Sequence, residues 1–405
     1  MNRRNFLYSL NIGMASVALL DTKLYGMPLT APLAQPIADK ELSYHTIQSV
    51  KFSSVRLQYP RLVGKNARLD IHGYGPRVET CIIHTDKGAM GWGSLRGSRR
   101  HAEDLAKELT GKKVSDVFQT NVGISDGKNI PFDMALHDLA GVILNKPVYA
   151  LLGQEKPIIT DCYSGMIYFD DLEPSNKPGG IDKILEECAY DYKLGYRQFK
   201  LKIGRGNRWM PFSEGLQRDI EVTKKVAEAF PDCQVLVDGN NGFSVEEFIQ
   251  YMKGIAGVSL FWIEEPFHET VTEYEKLRSW LKGEGINTLL ADGEADWDQN
   301  LLRELIEKKL IDVHLTDIED LGFTNWRKLM PELQKLGAQA SPHAWGSLLK
   351  THYTAHLTGG LGNTVTIEGV SSTSDDVDLS GYALKNGKLV PPATAGFGMP
   401  LLKKE

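Results

Sequence analysis

Gln198-Phe199-Lys200-Leu201-Lys202-Ile203, Val237-Asp238-Gly239-Asn240, Trp262-Ile263-Glu264-Glu265-Pro266 and Ala291-Asp292-Gly293-Glu294 are four apolar-rich runs that each end in charge. Each reads as a strand, and each is followed by a stretch with helical spacing. Asp238 to Glu264 spans 26 positions and Glu264 to Glu294 spans 30, close to one strand-plus-helix unit. The same rhythm extends in both directions. Strands are expected at Ile158–Tyr163, Gln198–Ile203, Gln234–Asn240, Ser259–Glu265, Asn287–Glu294, Asp312–Ile318, Gln339–Trp345 and Thr364–Val370. Between them lie amphipathic stretches such as Glu214–Phe230, Val245–Ile255, Glu273–Lys282 and Leu301–Lys309. Strands separated by helices pair in parallel, because a parallel neighbour needs a long crossover. Eight units point to an α/β fold with a closed (β/α)8-type barrel, a modified TIM barrel, over residues 151–370. An open doubly wound sheet is the competing architecture. It would bring a glycine-rich phosphate turn after the first strand, and none is present there.

The polar residues fall where a barrel carries its chemistry, at the C-terminal ends of the strands. Lys200 and Lys202 are two apart and share one face of their strand, while Phe199, Leu201 and Ile203 point to the covering helices. Two neighbouring ammonium groups disfavour each other's charge, so one lysine is expected to have a lowered pKa and to serve as a base. A solvated Lys-x-Lys on a surface strand is the plainer alternative. Asp238, Glu264 and Glu294 close the next three strands. Three carboxylates there repel unless a cation sits among them, and an all-oxygen set suits a hard divalent ion such as Mg²⁺. Mn²⁺ is expected to substitute. The alternative is three unrelated helix caps. No cysteine or histidine stands near enough in sequence to suggest zinc. Asp317 and His343 follow on the sixth and seventh strands, where a carboxylate on one ring nitrogen would fix the tautomer of the histidine. Glu368 ends the eighth strand. If protonated, it could donate to a developing oxyanion.

Residues 41–150 mix strand-like runs (Ser54–Leu57, Val78–His84), a turn at Thr85–Gly88 and a helix over Pro131–Leu144. They read as an N-terminal α+β domain. Ahead of them, Asn2-Arg3-Arg4-Asn5-Phe6-Leu7 precedes an apolar stretch from Leu10 to Leu20 that is too short to span a bilayer. Arg-Arg-x-Phe-Leu resembles a twin-arginine export signal, so residues 1–34 are expected to direct the chain to the periplasm. No later apolar run is long enough for a span, so no membrane association is expected after export. The net charge of −6 over 405 residues argues against a nucleic-acid partner. The four cysteines, Cys81, Cys162, Cys188 and Cys233, form no C-x-x-C pair.

Lys-x-Lys, then Asp, Glu and Glu, then Asp and His, then Glu, on seven consecutive strands, resembles the mandelate racemase/muconate lactonizing enzyme-like subgroup of the enolase superfamily. Ala135-Leu136-His137-Asp138-Leu139-Ala140-Gly141, followed by Pro147-Val148-Tyr149-Ala150-Leu151-Leu152-Gly153, is similar to that family's domain junction. The resemblance implies that Asp238, Glu264 and Glu294 bind the metal, that Lys202 is one base and the Asp317–His343 pair the other. It also implies that Lys200 neutralises a substrate carboxylate and that Glu368 assists the enolate. The N-terminal domain would cap the barrel mouth, with residues 371–405 returning to it. Two stretches depart from the family pattern. Where relatives carry a basic residue and Gly-Gly after the aspartate, this chain has Glu319-Asp320-Leu321-Gly322-Phe323. A longer basic-aromatic loop, Gly204 to Met210, follows the second strand.

The expected partner is a small carboxylate substrate, and a homo-oligomer is expected. Candidate substrate contacts are Asn240, Tyr163, Tyr59, Arg61, His72, Arg205, Arg208 and Trp345. Pro342-His343-Ala344-Trp345 and Tyr163-Ser164-Gly165 resemble acid-sugar dehydratases, which puts a hydro-lyase first. A racemase, epimerase or cycloisomerase comes second, because bases on two faces suit it equally. A non-catalytic sugar-acid binding protein comes third, because no catalytic position is lost.

Overall fold

The structure, a computed structural model, describes residues 35–402; the expected export segment lies outside the described residues. The N-terminal domain holds an antiparallel meander of β1 (Ile47–Arg56), β2 (Arg77–Thr85) and β3 (Met90–Ser94). β1 begins well before the Ser54 read from sequence. Its exposed face carries polar residues such as Ser49, Lys51 and Ser53, which dilute the apolar alternation, while an unbroken pairing from Ser49–His84 to Arg56–Arg77 holds it in place. The helix Asp133–Ile143 lies against β3 so closely that a Cβ on Gly91 would come within 2.3 Å of the Leu139 backbone nitrogen. A short ribbon, β4 (Phe118–Gln119) and β5 (Gly123–Ile124), completes this layer.

Eight parallel strands follow: β6 (Thr160–Ile167), β7 (Gln198–Lys202), β8 (Gln234–Asp238), β9 (Leu260–Glu264), β10 (Leu289–Asp292), β11 (Val313–His314), β12 (Gln339–Ala340) and β13 (Ile367–Gly369). They pair in sequence order, and β13 pairs with β6. A parallel bridge between Ala340 and Thr364 closes the remaining seam. The sheet is therefore a (β/α)8 barrel, and the open doubly wound alternative is excluded. Phe199, Leu201 and Ile203 pack outward with helix residues such as Val222, Val226 and Phe248, as the strand alternation requires. Tyr163, Leu236, Trp262, Ala291, Val313 and Leu315 fill the interior beneath the mouth.

Residues beyond β13 run to both ends of the molecule. A hairpin of β14 (Ala383–Lys385) and β15 (Lys388–Val390) adds to the start of β6. Farther on, the Trp92 indole donates to the Met399 carbonyl at 2.7 Å, and the Phe397 amide donates to Asp138 at 2.7 Å. Thr373 bridges to Gln58 at the root of the 57–76 connection, which carries the N-terminal domain to the barrel mouth. Among the described residues, no helix is long and apolar enough to cross a membrane.

Candidate active site

Strand register builds the site. Lys202 stands beside Asp238, and Asp238 beside Glu264, on three adjacent strands. Glu294 lies just past β10. Asp238, Glu264 and Glu294 each offer an oxygen, all within 4.8 Å of one another. Glu264 Oε2 and Glu294 Oε2 are buried with no hydrogen-bond partner. Orphaned buried carboxylate oxygens in an all-oxygen set are what a hard divalent ion needs. Burial, and then the Asp238 charge, push the Glu264 carboxyl well above its usual range.

Lys200 is fully buried, 2.7 Å from Glu264, 2.9 Å from Glu368 and 3.4 Å from Asp238. Lys202 pairs with Asp238. Burial works against both ammonium charges, but Glu264 and Glu368 on one and Asp238 on the other outweigh it, so both pKa values are raised. This corrects the expectation of a lowered lysine pKa. Lys200 does act on Lys202 in the expected direction, but the adjacent carboxylate is the stronger neighbour.

Across the mouth, the His343 ring donates from Nδ1 to Asp317 at 2.9 Å and turns Nε2 toward Glu294, 3.2 Å away, and Glu368, 3.6 Å away. Burial opposes its charge, yet Glu294, Glu368 and Asp317 hold the imidazole well above its usual pKa. Glu368 accepts from the Ala344 amide at 2.8 Å. Burial would raise its pKa, but Lys200 and His343 pull it below the ordinary carboxylate range. These neighbours favour the ionised form over the protonated one on which the sequence reading's oxyanion donor was conditional. Gly165 makes room for Glu368: a Cβ there would sit 2.6 Å from its Oε1.

Two groups escaped the sequence reading. Lys350, in the first turn of the helix Leu348–Leu361, reaches Asp317 at 2.8 Å. It supplies the cation that the Glu319-Asp320 run does not. Glu265, buried beside Glu264, accepts from the amides of Glu294 at 3.0 Å and Ala295 at 2.7 Å and so holds the end of β10 in place. The doubled acid in Trp262-Ile263-Glu264-Glu265-Pro266 was the available signal for Glu265; Lys350 had none.

The candidate substrate contacts divide. Asn240 is buried at the mouth, its amide on Asp238 and its Oδ1 unpartnered. Tyr163 lies beneath Lys200, whose Nζ is 5.2 Å from the ring centre. Tyr59, His72 and Trp345 meet at the mouth with Tyr168, whose ring is 5.2 Å from Lys202 Nζ. The arginines do not join them. Arg61 makes a bidentate pair with Asp191 at 2.9 and 2.8 Å. Arg205 is wholly buried between Asp171 and Asp219. Arg208 donates to the Arg68 carbonyl at the exposed rim. Each arginine is held by a polar partner outside the catalytic cluster, so the structure does not bring the three together with the aromatic residues at the mouth.

The enolase C-terminal domain-like family model matches residues 183–404. The chain belongs to the enolase superfamily. Its mandelate racemase-like membership accounts for the order of charged strand ends. Galacturonate dehydratase from Geobacillus sp., complexed with D-galacturonate and 5-keto-4-deoxy-D-galacturonate, is 30% identical, with a TM-score of 0.83 covering 89% of this chain and 95% of that one. A variant of a Geobacillus sp. galacturonate dehydratase complexed with Mg superposes with the same TM-score and identity, over 89% and 93% of the two chains. Arabinonate dehydratase from Saccharolobus solfataricus is 26% identical over 278 residues, 66% of this chain and 67% of that protein.

Proposed function

We propose that the protein is a Mg²⁺-dependent hydro-lyase that removes the proton next to the carboxylate of a sugar acid and expels the β-hydroxyl, giving a keto-deoxy acid. The observation that carries this reading is the facing pair of proton-transfer groups, Lys202 on one side and the His343–Asp317 pair on the other, flanking three clustered carboxylates. Asp238, Glu264 and Glu294 would hold the metal. When bound, Mg²⁺ supplies positive charge to the substrate carboxylate as it takes on enediolate character.

The remaining work falls to side chains. Lys200, held rigid by three carboxylates, presents fixed charge to the substrate carboxylate, and preorganised charge costs no reorganisation as the enediolate develops. Lys202 or His343, according to the configuration at the α-carbon, accepts the α-proton. The other member of the pair then gives a proton to the departing hydroxyl from the opposite face. Asp317 fixes the His343 ring with Nδ1–H inward. Burial excludes bulk water from Lys200, Lys202 and Glu264.

The testing experiment is a screen of purified protein with Mg²⁺ against an acid-sugar library, scoring keto-acid formation and solvent deuterium incorporation together. Keto-deoxy acid from at least one sugar acid is the expected result. Exchange or epimer formation without loss of water would convert the assignment to an isomerase. Neither signal from any acid would refute it.

The reading extends to location. Arg3-Arg4 and the apolar stretch after it support export by the twin-arginine route. Arg3-Arg4 changed to Lys-Lys should stay in the cytoplasm, and unchanged periplasmic recovery would count against that route.

A further inference from the structure

A cavity lies in the outer shell of the barrel, between the helix Gln299–Glu307 and the helix Phe323–Leu336. It shares no lining residue with the charged cluster at the mouth. Its volume is about 420 Å³, within the ~300–1,000 Å³ of ordinary small-molecule sites. Ile306, Leu329, Leu333 and Leu336 give it an apolar lining. His314, the last residue of β11, also lines it. Val313 and Leu315 belong to the barrel interior, so the alternation of the strand turns His314 outward to the helices. It is 4% exposed.

The His314 ring is held but not satisfied. Nε2 shares a hydrogen bond with Thr316 Oγ1 at 2.9 Å, and the Trp326 ring packs edge-on with centres 5.4 Å apart. Nδ1 is buried with no hydrogen-bond partner, which is a rare state for a native polar group. Burial pushes the ring pKa down to about 4, so the imidazole is neutral near pH 7. A neutral imidazole has one donor and one acceptor nitrogen, and the Thr316 hydroxyl can take either role. A hydroxyl is therefore the small group that satisfies Nδ1 in both tautomers. The rim adds charge. Arg303 pairs with Glu307 at 2.9 Å and reaches Glu332 at 3.8 Å, across the two helices. Lys328 is exposed beside them and makes no ion pair among the described residues.

We infer that this cavity is a second ligand site, which takes a small phenolic acid: its ring lies among the leucines, its hydroxyl meets His314 Nδ1 and its carboxylate pairs with Lys328. Each part of the ligand answers one feature of the site. The apolar lining favours a body without polar groups, and a rigid ring holds hydroxyl and carboxylate at opposite ends with few rotors to freeze. The buried nitrogen requires a hydroxyl, and the unpaired cation at the rim favours an anion. The site is separate from the metal cluster, so the inference stands whether or not the hydro-lyase reading does.

Calorimetry of the full protein with 3-(4-hydroxyphenyl)propanoate tests this, run in EDTA so that no metal at the mouth can take the carboxylate. Saturable 1:1 binding with a Kd of about 1 mM or tighter is expected. 3-Phenylpropanoate, which lacks the hydroxyl, should bind roughly tenfold more weakly. Lys328→Ala should weaken the phenolic acid about threefold and leave 4-ethylphenol, which lacks the carboxylate, unchanged. Leu329→Trp fills the cavity from its half-buried side and should abolish binding, with a urea melt to confirm that the variant is folded. His314→Phe should erase the difference between the two acids; if that variant does not fold, the comparison of the two acids on the parent still decides. Absence of saturable binding overturns the inference. Parental affinity in Leu329→Trp places the ligand elsewhere and also overturns it. Equal affinity of the parent for the two acids removes the His314 contact and with it the ligand class.

Discussion

Replacing Glu264 by Gln should abolish Mg²⁺-dependent stabilisation while leaving the metal-free fold nearly as stable as before. The ligand oxygens of Asp238, Glu264 and Glu294 lie within 4.8 Å of one another. At that separation, an effective dielectric of about 20 gives roughly 3 kcal/mol of repulsion for each charged pair. Lys200 and Lys202 offset part of this, and the raised pKa of Glu264 reflects the strain that remains. Glutamine resembles the protonated acid in shape and charge. Lys200 keeps Glu368 at 2.9 Å and Asp238 at 3.4 Å. The metal-free variant should thus unfold within about 1–2 kcal/mol of the metal-free parent. Metal at 100 times its Kd stabilises the parent by about 2.7 kcal/mol; a variant bound about 100-fold more weakly gains about 0.4 kcal/mol at the same concentration. Urea melts with and without MgCl₂ measure both numbers. Equal Mg²⁺ stabilisation of parent and variant would refute the assignment of Glu264 as a ligand.

Lys350→Met should cost on the order of 10–100-fold in kcat with little change in KM, because it frees the Asp317 carboxylate that orients His343, and Lys350→Arg should restore part of the loss. Steady-state kinetics of the two variants decide this, and parental kcat in Lys350→Met would remove Lys350 from the positioning of that pair. Glu187, beside Arg61, sets a pH dependence of stability. Burial and the nearby Asp170 raise its pKa from 4.5 to about 8, against the pull of Arg61 and Lys183. The native protein then holds a proton that the unfolded chain releases, so stability should fall as pH rises from about 4.5 to 8. Glu187→Gln should flatten that slope in melts at pH 5, 6.5 and 8, and an unchanged slope would show that Glu187 does not set it.

The barrel was legible because strand after strand, from the second on, combines an apolar run with a charged or ionisable residue near its end, and because helical stretches separate the runs. Strand ends were less so. The run Asp312–Ile318 was read as a long strand, yet the regular ladder is confined to Val313–His314. Beyond it the backbone still bonds to both sides, Leu315 to Asp292 and Ile318 to His343, in an irregular pattern that sequence periodicity does not encode. The side chains that gather at the candidate site were legible by strand position, but their electrostatic setting was not. The raised pKa of Lys202 depends on Asp238 standing beside it on the next strand, 36 positions along the chain. The arginines show the same limit from the other side. Arg61 and Arg205 look like anion-binding residues in a one-dimensional reading, and only the fold shows the buried Asp191, Asp171 and Asp219 that already hold them. Lys350 lies 33 positions from Asp317 on a helix with no distinguishing pattern.

The central claim is that Lys202 and His343 handle protons on opposite faces of one α-carbon. Its most direct test follows the parent, Lys202→Ala and His343→Asn by proton NMR in D₂O with Mg²⁺ and an accepted sugar acid. One variant should lose both turnover and α-deuterium exchange, and the other should lose turnover while exchange continues, because the abstracting base can still form and reprotonate the enolate. Which variant keeps exchange identifies the face that presents the proton. Near-parental turnover in both variants would contradict the two-base account and leave the chain with the fold of its superfamily but not this chemistry.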